Sequence, residues 1–151
     1  MLSVPLKGKV SNFAWFLLQL LFKCPPQITA IVYLRTTKRN TMSTIGVFGA
    51  NGRMGRALVT VAKEQNLALT AATVRIGSAL VGVDAGELAG CGKNQLPLSE
   101  TSLAQVSQAE VWVDFTMPEP MLEHLALAVK AGKAMVIGVT GLTDEQYTQI
   151  K

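Results

Sequence analysis

The sequence predicts an α/β fold built on a doubly wound parallel sheet. From Met42 onward, short apolar segments alternate with segments of helical length, which is the pattern of successive βαβ units. The segment Val111–Phe115 is mainly apolar without strict alternation, as expected for a strand that is buried on both faces. We predict about four strands, after which the sequence ends within a helix and the sheet is truncated.

The first unit places a glycine-rich turn between a strand and a helix. Ile45–Phe48 suits a buried strand, and Arg53–Glu64 contains good helix formers. Gly49, Gly52 and Gly55 recur at every third position. Glycine permits positive φ and close approach to a pyrophosphate, and the free N–H groups of the following helix favour an anion. This order predicts a Rossmann-like dinucleotide site, with a turn that binds nothing as the alternative.

The next elements follow from apolar runs and turn residues. Leu67–Val74 is predicted as the second strand. Glycines and a proline within residues 75–99 indicate mainly loop. Glu100–Val106 is predicted as a short helix that Ser99 caps.

The second half of the sequence repeats the strand–helix pattern. Val111–Phe115 is predicted as the third strand, followed by a helix that begins near Pro118 and ends near Gly132. Ala134–Val139 is the fourth strand. Thr143 is predicted to cap the last helix, because acidic residues follow it in the first turn.

The net positive charge of the chain is confined to its first 41 residues. Six of the 14 lysines and arginines and none of the 10 acidic residues lie there, so residues 42–151 carry a net charge of −2. The globular part is therefore not expected to bind nucleic acid. We predict that residues 1–41 form a leader outside the fold and that residues 42–151 form a partial nucleotide-binding domain.

The leader has competing interpretations. Phe13–Phe22 is apolar but only ten residues long, well short of a roughly 20-residue membrane span, so no membrane anchoring is expected. A signal peptide would need a small-residue cleavage site, which Lys23–Pro26 does not offer. A transit peptide is a second interpretation, and upstream sequence translated in error is a third. We favour the third, because Met42 leads directly into the first strand.

Cysteine usage predicts a reducing compartment. Cys24 and Cys91 are far apart and have no metal-ligand spacing. We therefore expect free thiols, no metal site and a cytoplasmic location.

Longer motifs beyond the first turn identify a family. They occur in order along about residues 43–151. The motifs are GANGRMGR, SALVGVDAGELAG, VDFTMPE, HLA and MVIGVTGLTDEQ. Together they resemble the amino-terminal part of the 4-hydroxy-tetrahydrodipicolinate reductases, also called dihydrodipicolinate reductases.

The resemblance implies an oxidoreductase of the diaminopimelate route to lysine. Enzymes of this family pass hydride from NADPH or NADH to a dipicolinate precursor, a small-molecule substrate. Their proton donor and substrate clamp lie in a carboxyl-terminal domain, in a His-His segment followed by a lysine and a Ser-Gly-Thr loop. That domain also forms the family's homotetramer. None of these residues is in this sequence, so we predict no catalytic residue here and an inactive fragment.

The resemblance also assigns the cofactor contacts. The residues that match Gly49–Met54 cradle the pyrophosphate, those after the third strand lie along the cofactor, and those after the fourth meet nicotinamide and substrate. The predicted cofactor-binding residues are Gly49, Ala50, Asn51, Gly52, Arg53, Met54, Arg75, Phe115, Thr116, Gly138 and Thr140.

Three positions depart from the family pattern. Met117 replaces an arginine, and Val139 replaces a threonine. Val74-Arg75 replaces the usual Glu-Arg after the second strand, where an acid normally binds the ribose hydroxyls. Loss of that acid removes repulsion of a 2′-phosphate, and Arg75 can pair with this phosphate. We therefore predict a preference for NADPH over NADH.

The remaining conspicuous residues are interpreted as structural. His124, the only histidine, is expected to pack or to lie on the surface, and Asp114 is expected to hold the loop backbone. The packing residues predicted in addition are Trp15, Trp112, Met117, Met121 and Met135. Two other functions stay open: another Rossmann dehydrogenase of the aspartate or homoserine type, and a non-catalytic nucleotide-binding module.

Overall fold

A six-stranded sheet forms the centre of the structure, a computed structural model that describes residues 31–33 and 43–150. The strands are β1 Ile31–Tyr33, β2 Ile45–Phe48, β3 Leu69–Val74, β4 Ser99–Glu100, β5 Val111–Asp114 and β6 Ala134–Ile137. The helices are α1 Arg53–Glu64, α2 Ala85–Ala89, α3 Leu103–Val106, α4 Pro118–Ala131 and α5 Asp144–Ile150. The strands lie in the order β1-β6-β5-β2-β3-β4.

The five neighbouring strands β6, β5, β2, β3 and β4 are parallel to one another. This arrangement confirms the predicted α/β class. The chain moves outward from β2 through β3 to β4 and then returns to β5 on the other side of β2. The direction of winding therefore reverses between β2 and β5. In open α/β sheets, ligands bind at the carboxyl ends of the strands on either side of such a switch point.

Two apolar clusters cover the two faces of the sheet. Val47 of β2 belongs to one cluster, with residues of α1, β3 and β5. The next residue, Phe48, belongs to the other cluster, with residues of α4 and β6. Trp112 is fully buried in this second cluster and donates its indole N–H to the Val106 carbonyl at 2.9 Å. A Cβ at Gly46 would lie 2.5 Å from the Trp112 ring, so glycine lets the ring cover β2.

The predicted packing residues differ in outcome. Trp112, Met121 and Met135 are buried, as predicted, whereas the prediction for Met117 is wrong because its side chain is 68% exposed. Met117 has an extended backbone and lies directly before the first residue of α4. It is at the edge of the sheet, where no core surface faces its side chain. Trp15 lies outside the described residues.

The sequence predicted most element bounds closely. β2, α1 and α4 match their predicted ranges, and Gly132 ends α4 with a φ of 66°. Thr143 caps α5 as predicted, accepting the Gln146 N–H at 3.3 Å while the Gln146 side chain accepts the Thr143 N–H at 2.9 Å. The predicted second, third and fourth strands are shortened to 69–74, 111–114 and 134–137.

The prediction that Ser99 caps a helix is wrong. Ser99 pairs with Thr73 of β3 and forms β4 with Glu100. The helix begins at Leu103 instead, and Ser102 caps it by accepting the Gln105 N–H at 3.3 Å. Two serines three residues apart offer the same cap chemistry, and pairing with the edge of β3 decides between them.

A second difference concerns the predicted leader. Ile31–Tyr33 forms β1 and pairs antiparallel with β6, with Ile31 opposite Ile137 and Tyr33 opposite Met135. The sequence analysis predicted that all of residues 1–41 lie outside the fold. These three residues are rich in β-formers and pair with the edge of β6. Phe13–Phe22 and Cys24 lie outside the described residues. Within the part of the chain that is described, no helix combines the length and apolar character needed to cross a membrane.

The segment after β3, predicted to be mainly loop, is organised around Asp84. Its Oδ1 accepts the backbone N–H groups of Glu87 at 2.9 Å and Asn94 at 3.1 Å, and its Oδ2 accepts that of Gln95 at 2.8 Å. Partial desolvation would raise the pKa of Asp84, but these backbone hydrogen bonds outweigh it and lower the pKa from the ordinary 3.8. The ionised carboxylate therefore caps α2 and closes the loop.

The lowered pKa of Asp84 predicts a pH-dependent stability. A carboxylate whose pKa is lower in the folded chain stabilises the fold above its ordinary pKa, and this contribution is lost as the pH falls through the lowered value. We expect Asp84→Asn to reduce the urea midpoint of unfolding at pH 7, because an amide N–H₂ would face the Gln95 N–H. The difference from wild type should shrink below about pH 4.

Glu123→Gln is the control, since this exposed carboxylate of α4 accepts no hydrogen bond from any described residue. A difference between wild type and Asp84→Asn that stayed constant from pH 7 to pH 3 would contradict the assignment.

Candidate functional site

The predicted site residues follow four parallel strands at one edge of the sheet. Gly49–Met54 follows β2, Arg75 follows β3, Phe115 and Thr116 follow β5, and the segment from Gly138 follows β6. Because these strands are parallel, their carboxyl ends lie at the same edge. The structure therefore brings the predicted residues to one side of the domain, on both sides of the switch point.

The turn after β2 leaves the first turn of α1 bare. Gly49 has a φ of 61°, and the Gly52 N–H donates to the Gly49 carbonyl at 2.9 Å. Gly52 then precedes α1 without a side-chain cap, and the first turn contains no acidic residue. An uncapped helix end of this kind presents free N–H groups and positive potential to an anion.

The residues of this turn have different roles. Ala50 is buried and donates its N–H to the Thr73 carbonyl at 2.9 Å, so it attaches the turn to β3 and its N–H is committed. Asn51 and Arg53 are exposed, and Met54 is half-buried. The backbone N–H groups of Arg53 and Met54 donate to no other described residue. They are the groups that a pyrophosphate could accept from.

Gly55 permits α1 to approach the turn closely. A Cβ at this position would collide with the Gly49 carbonyl oxygen and lie 2.7 Å from the Ala50 Cα. Both neighbours are backbone atoms, which cannot move away without opening the turn. The third glycine of the motif therefore acts through helix–strand packing and not through contact with a ligand.

The loop after β5 contacts both the glycine turn and the loop after β6. The Thr116 methyl group lies so close to Gly49 that a Cβ there would be 2.5 Å from it. The Phe115 ring covers Gly138 in the same way, with 2.5 Å between its Cδ1 and a Cβ at Gly138. The Gly138 N–H donates to the Asp114 carbonyl at 2.8 Å. The three loops thus form one continuous surface.

The end of β6 exposes Thr140. Val139 is buried, whereas Thr140 and Gly141 are exposed, and Gly141 has a φ of 80°. The side chain at 139 therefore faces the core, whereas that at 140 is open to solvent just beyond the carboxyl end of β6.

The end of β3 carries Arg75, which is exposed, after the fully buried Val74. Sequence reasoning missed a neighbour of this position. Glu100 of β4 is in register with Val74, and its Oε1 accepts the Gly77 N–H at 2.8 Å. The turn that carries Arg75 is thereby held by a carboxylate from the adjacent strand. No local signal in the sequence indicates this pairing, because β4 has only two residues.

Asp114 and His124 form a buried pair that the sequence did not predict. Asp114 holds the loop backbone, as expected, since its Oδ1 accepts the Thr116 N–H at 2.7 Å. Its Oδ2 lies 2.6 Å from His124 Nδ1. His124 is buried, which confirms packing over a surface position, but the partner was missed. In the described part of the chain, no group of three or more histidines, cysteines or acids could hold a metal.

Comparison with known proteins agrees with this geometry. The family model described as "Dihydrodipicolinate reductase, N-terminus" matches residues 43–151. The chain belongs to this family. The match begins just before β2 and includes every loop of the site, which confirms the resemblance seen in the sequence motifs.

Two curated members of the family and one solved structure show how much is shared. The 4-hydroxy-tetrahydrodipicolinate reductase of Pseudomonas fluorescens (strain Pf0-1) is 51% identical over 107 residues, 70% of this chain and 40% of that protein. That of Pseudoalteromonas atlantica is 47% identical over 106 residues, with the same coverage of both chains. Dipicolinate-bound dihydrodipicolinate reductase from Paenisporosarcina sp. TG-14 superposes with a TM-score of 0.52 at 26% identity, covering 73% of this chain and 42% of that one. The chain spans about 40% of the length of these curated relatives.

Close packing at Gly55 predicts that alanine destabilises the fold. In an open helix, replacing glycine by alanine stabilises by about 1 kcal/mol. We expect the opposite sign for Gly55→Ala, a loss of about 1–3 kcal/mol in the free energy of unfolding, because backbone atoms must move to admit the methyl group. Urea denaturation measures this change. Arg56→Ala, at the next and exposed position, should stay within about 0.5 kcal/mol of wild type.

Proposed function

We propose that this chain is the nicotinamide-nucleotide-binding part of a 4-hydroxy-tetrahydrodipicolinate reductase. The observation that carries the proposal is the uncapped first turn of α1 beside Gly49 and Gly52, at the switch point of the sheet. Membership of the family supports the same conclusion. A bound nicotinamide supplies the hydride. This chain's own residues bind the nucleotide and orient it.

The fit of a dinucleotide can be argued from the backbone. Free N–H groups of Arg53 and Met54 would donate hydrogen bonds to the pyrophosphate, and glycine at 52 leaves room for its close approach. Arg53 can add a charge-assisted hydrogen bond. Phe115 and Thr116 would line the next part of the cofactor, and Gly138 and Thr140 the end at which nicotinamide meets substrate.

The full reaction belongs to the longer protein in this proposal. NADPH or NADH reduces 4-hydroxy-tetrahydrodipicolinate to tetrahydrodipicolinate in the diaminopimelate route to lysine. In this proposal the proton donor, the substrate clamp and the homotetramer contacts come from outside residues 43–151, and the role of residues 43–151 is to bind the nucleotide. A reductase that draws on the reduced nicotinamide pool, with a free thiol at Cys91, fits a cytoplasmic location.

A preference for NADPH over NADH follows from the end of β3. Val74 places an apolar, buried side chain where an acid would bind the ribose hydroxyls, and the exposed Arg75 is available to a 2′-phosphate. Glu100 brings a carboxylate to the same end of the sheet through its hydrogen bond to Gly77. Its negative charge opposes the 2′-phosphate and limits the preference.

Calorimetric titration of the 151-residue chain tests the nucleotide proposal. We expect both nucleotides to bind and NADPH to bind more tightly. Arg75→Gln should weaken NADPH binding about tenfold, because one charge-assisted contact to the phosphate is lost. The affinity for NADH should stay within about twofold of wild type. Glu100→Gln keeps an oxygen for the Gly77 N–H and removes the charge, so it should tighten NADPH about threefold. A folded chain that binds neither nucleotide would refute the proposal, and tighter NADH binding would refute the preference.

The proposal for the whole reaction is tested by sequence beyond Lys151. We expect the reading frame to continue into a His-His segment, a lysine and a Ser-Gly-Thr loop. The protein extended through that segment should oxidise NADPH when supplied with the dipicolinate precursor. A stop codon directly after Lys151 would favour a non-catalytic nucleotide-binding module instead.

A further inference from the structure

The Asp114 carboxylate joins three groups from two elements. It is fully buried at the carboxyl end of β5. One oxygen accepts the Thr116 N–H at 2.7 Å and the Thr116 hydroxyl at 2.6 Å. The other oxygen is 2.6 Å from His124 Nδ1. A carboxylate can only accept, so in this contact the hydrogen-bond donor is the Nδ1–H of the imidazole.

His124 also contacts the strand that leads into the glycine turn. Its ring stacks on Phe48, with centroids 4.1 Å apart and planes 4° from parallel. Phe48 is the last residue of β2 and directly precedes Gly49. One side chain of α4 therefore touches the ends of both strands that border the switch point.

Thr116 transmits the position of Asp114 to the glycine turn. Two hydrogen bonds to a single carboxylate oxygen fix both its backbone and its side chain. Its methyl group is consequently held against Gly49, where even one added carbon would be 2.5 Å away. His124 thus contacts Asp114, Asp114 holds Thr116, and Thr116 packs on the turn that would receive the nucleotide.

Packing alone does not account for a histidine at this position. A leucine or phenylalanine would fill the space in α4 without burying a polar group. A buried carboxylate, however, needs a donor for each oxygen, and a chain of short charge-assisted bonds restricts all its members. The imidazole satisfies Asp114 through Nδ1 and still offers a flat ring to Phe48.

We infer that His124 is a positioning residue of the nucleotide site, acting through Asp114 and Thr116. It preorganises the loop after β5 against the turn after β2, so less ordering is required when the nucleotide binds. The inference rests on the proposed function for its effect on affinity. The structural link itself does not depend on that function.

Two substitutions separate the two contacts of His124. His124→Phe keeps a ring for Phe48 but leaves one Asp114 oxygen without a donor. His124→Asn keeps a donor close to the position of Nδ1 but loses the stacked ring. Thr116→Val removes the hydroxyl and retains the methyl group over Gly49. All are made in the 151-residue chain, with NADPH affinity measured by calorimetry and Thr116 amide exchange measured by NMR.

We expect His124→Phe to weaken NADPH binding about tenfold and to accelerate exchange of the Thr116 amide at least tenfold, relative to core amides of β3. His124→Asn should stay within about threefold of wild type in both measurements. Thr116→Val should weaken NADPH about fivefold and provides the test if His124→Phe does not fold.

The outcomes distinguish the inference from the proposed function. A folded His124→Phe with unchanged Thr116 exchange would overturn the inference, as would NADPH affinity within twofold of wild type. If His124→Phe does not fold, unchanged NADPH affinity in Thr116→Val overturns it. Absence of nucleotide binding by wild type would remove the proposed function, and Thr116 exchange would then decide the positional link alone.

Discussion

Close approach between the first turn of α1 and the end of β2 is the constraint on which the rest of the site depends. The contact involves backbone atoms on both sides, the Gly55 Cα and the Gly49 carbonyl. It brings the helix axis toward the sheet edge and points its unpaired N–H groups across the switch point. Side chains at these positions would separate helix and strand, and the loop after β5 would lose the turn against which Thr116 packs.

Much of the fold could be predicted because it follows from local chemistry. Strand β2 and helices α1 and α4 are bounded by glycine, proline and apolar runs, and these signals act within a few residues. The placement of the four candidate loops at one edge of the sheet was predictable for a related reason. Parallel strands place their carboxyl ends at one edge, so residues such as Arg75 and Thr116 are brought together by topology alone.

Features that depend on contacts between distant residues escaped prediction. Ser99 and Ser102 have equal cap chemistry, and only the edge of β3 distinguishes them. Glu100 accepts the Gly77 N–H, but it lies in a two-residue strand that is too short to show a periodic pattern. The pairing of His124 with Asp114 joins a helix to a strand end with no motif in the sequence. In each case the deciding partner is set by tertiary packing, which local propensities do not encode.

The antiparallel strand at the edge of the sheet has a consequence for any longer form of the protein. A strand edge offers one row of main-chain donors and acceptors, and each row can be satisfied by a single neighbour. Ile31–Tyr33 now occupies the row on β6 that faces away from β5. Direct pairing of a further strand with this edge of β6 is therefore excluded while β1 is retained, and growth of the sheet on this side would have to start from the outer edge of β1.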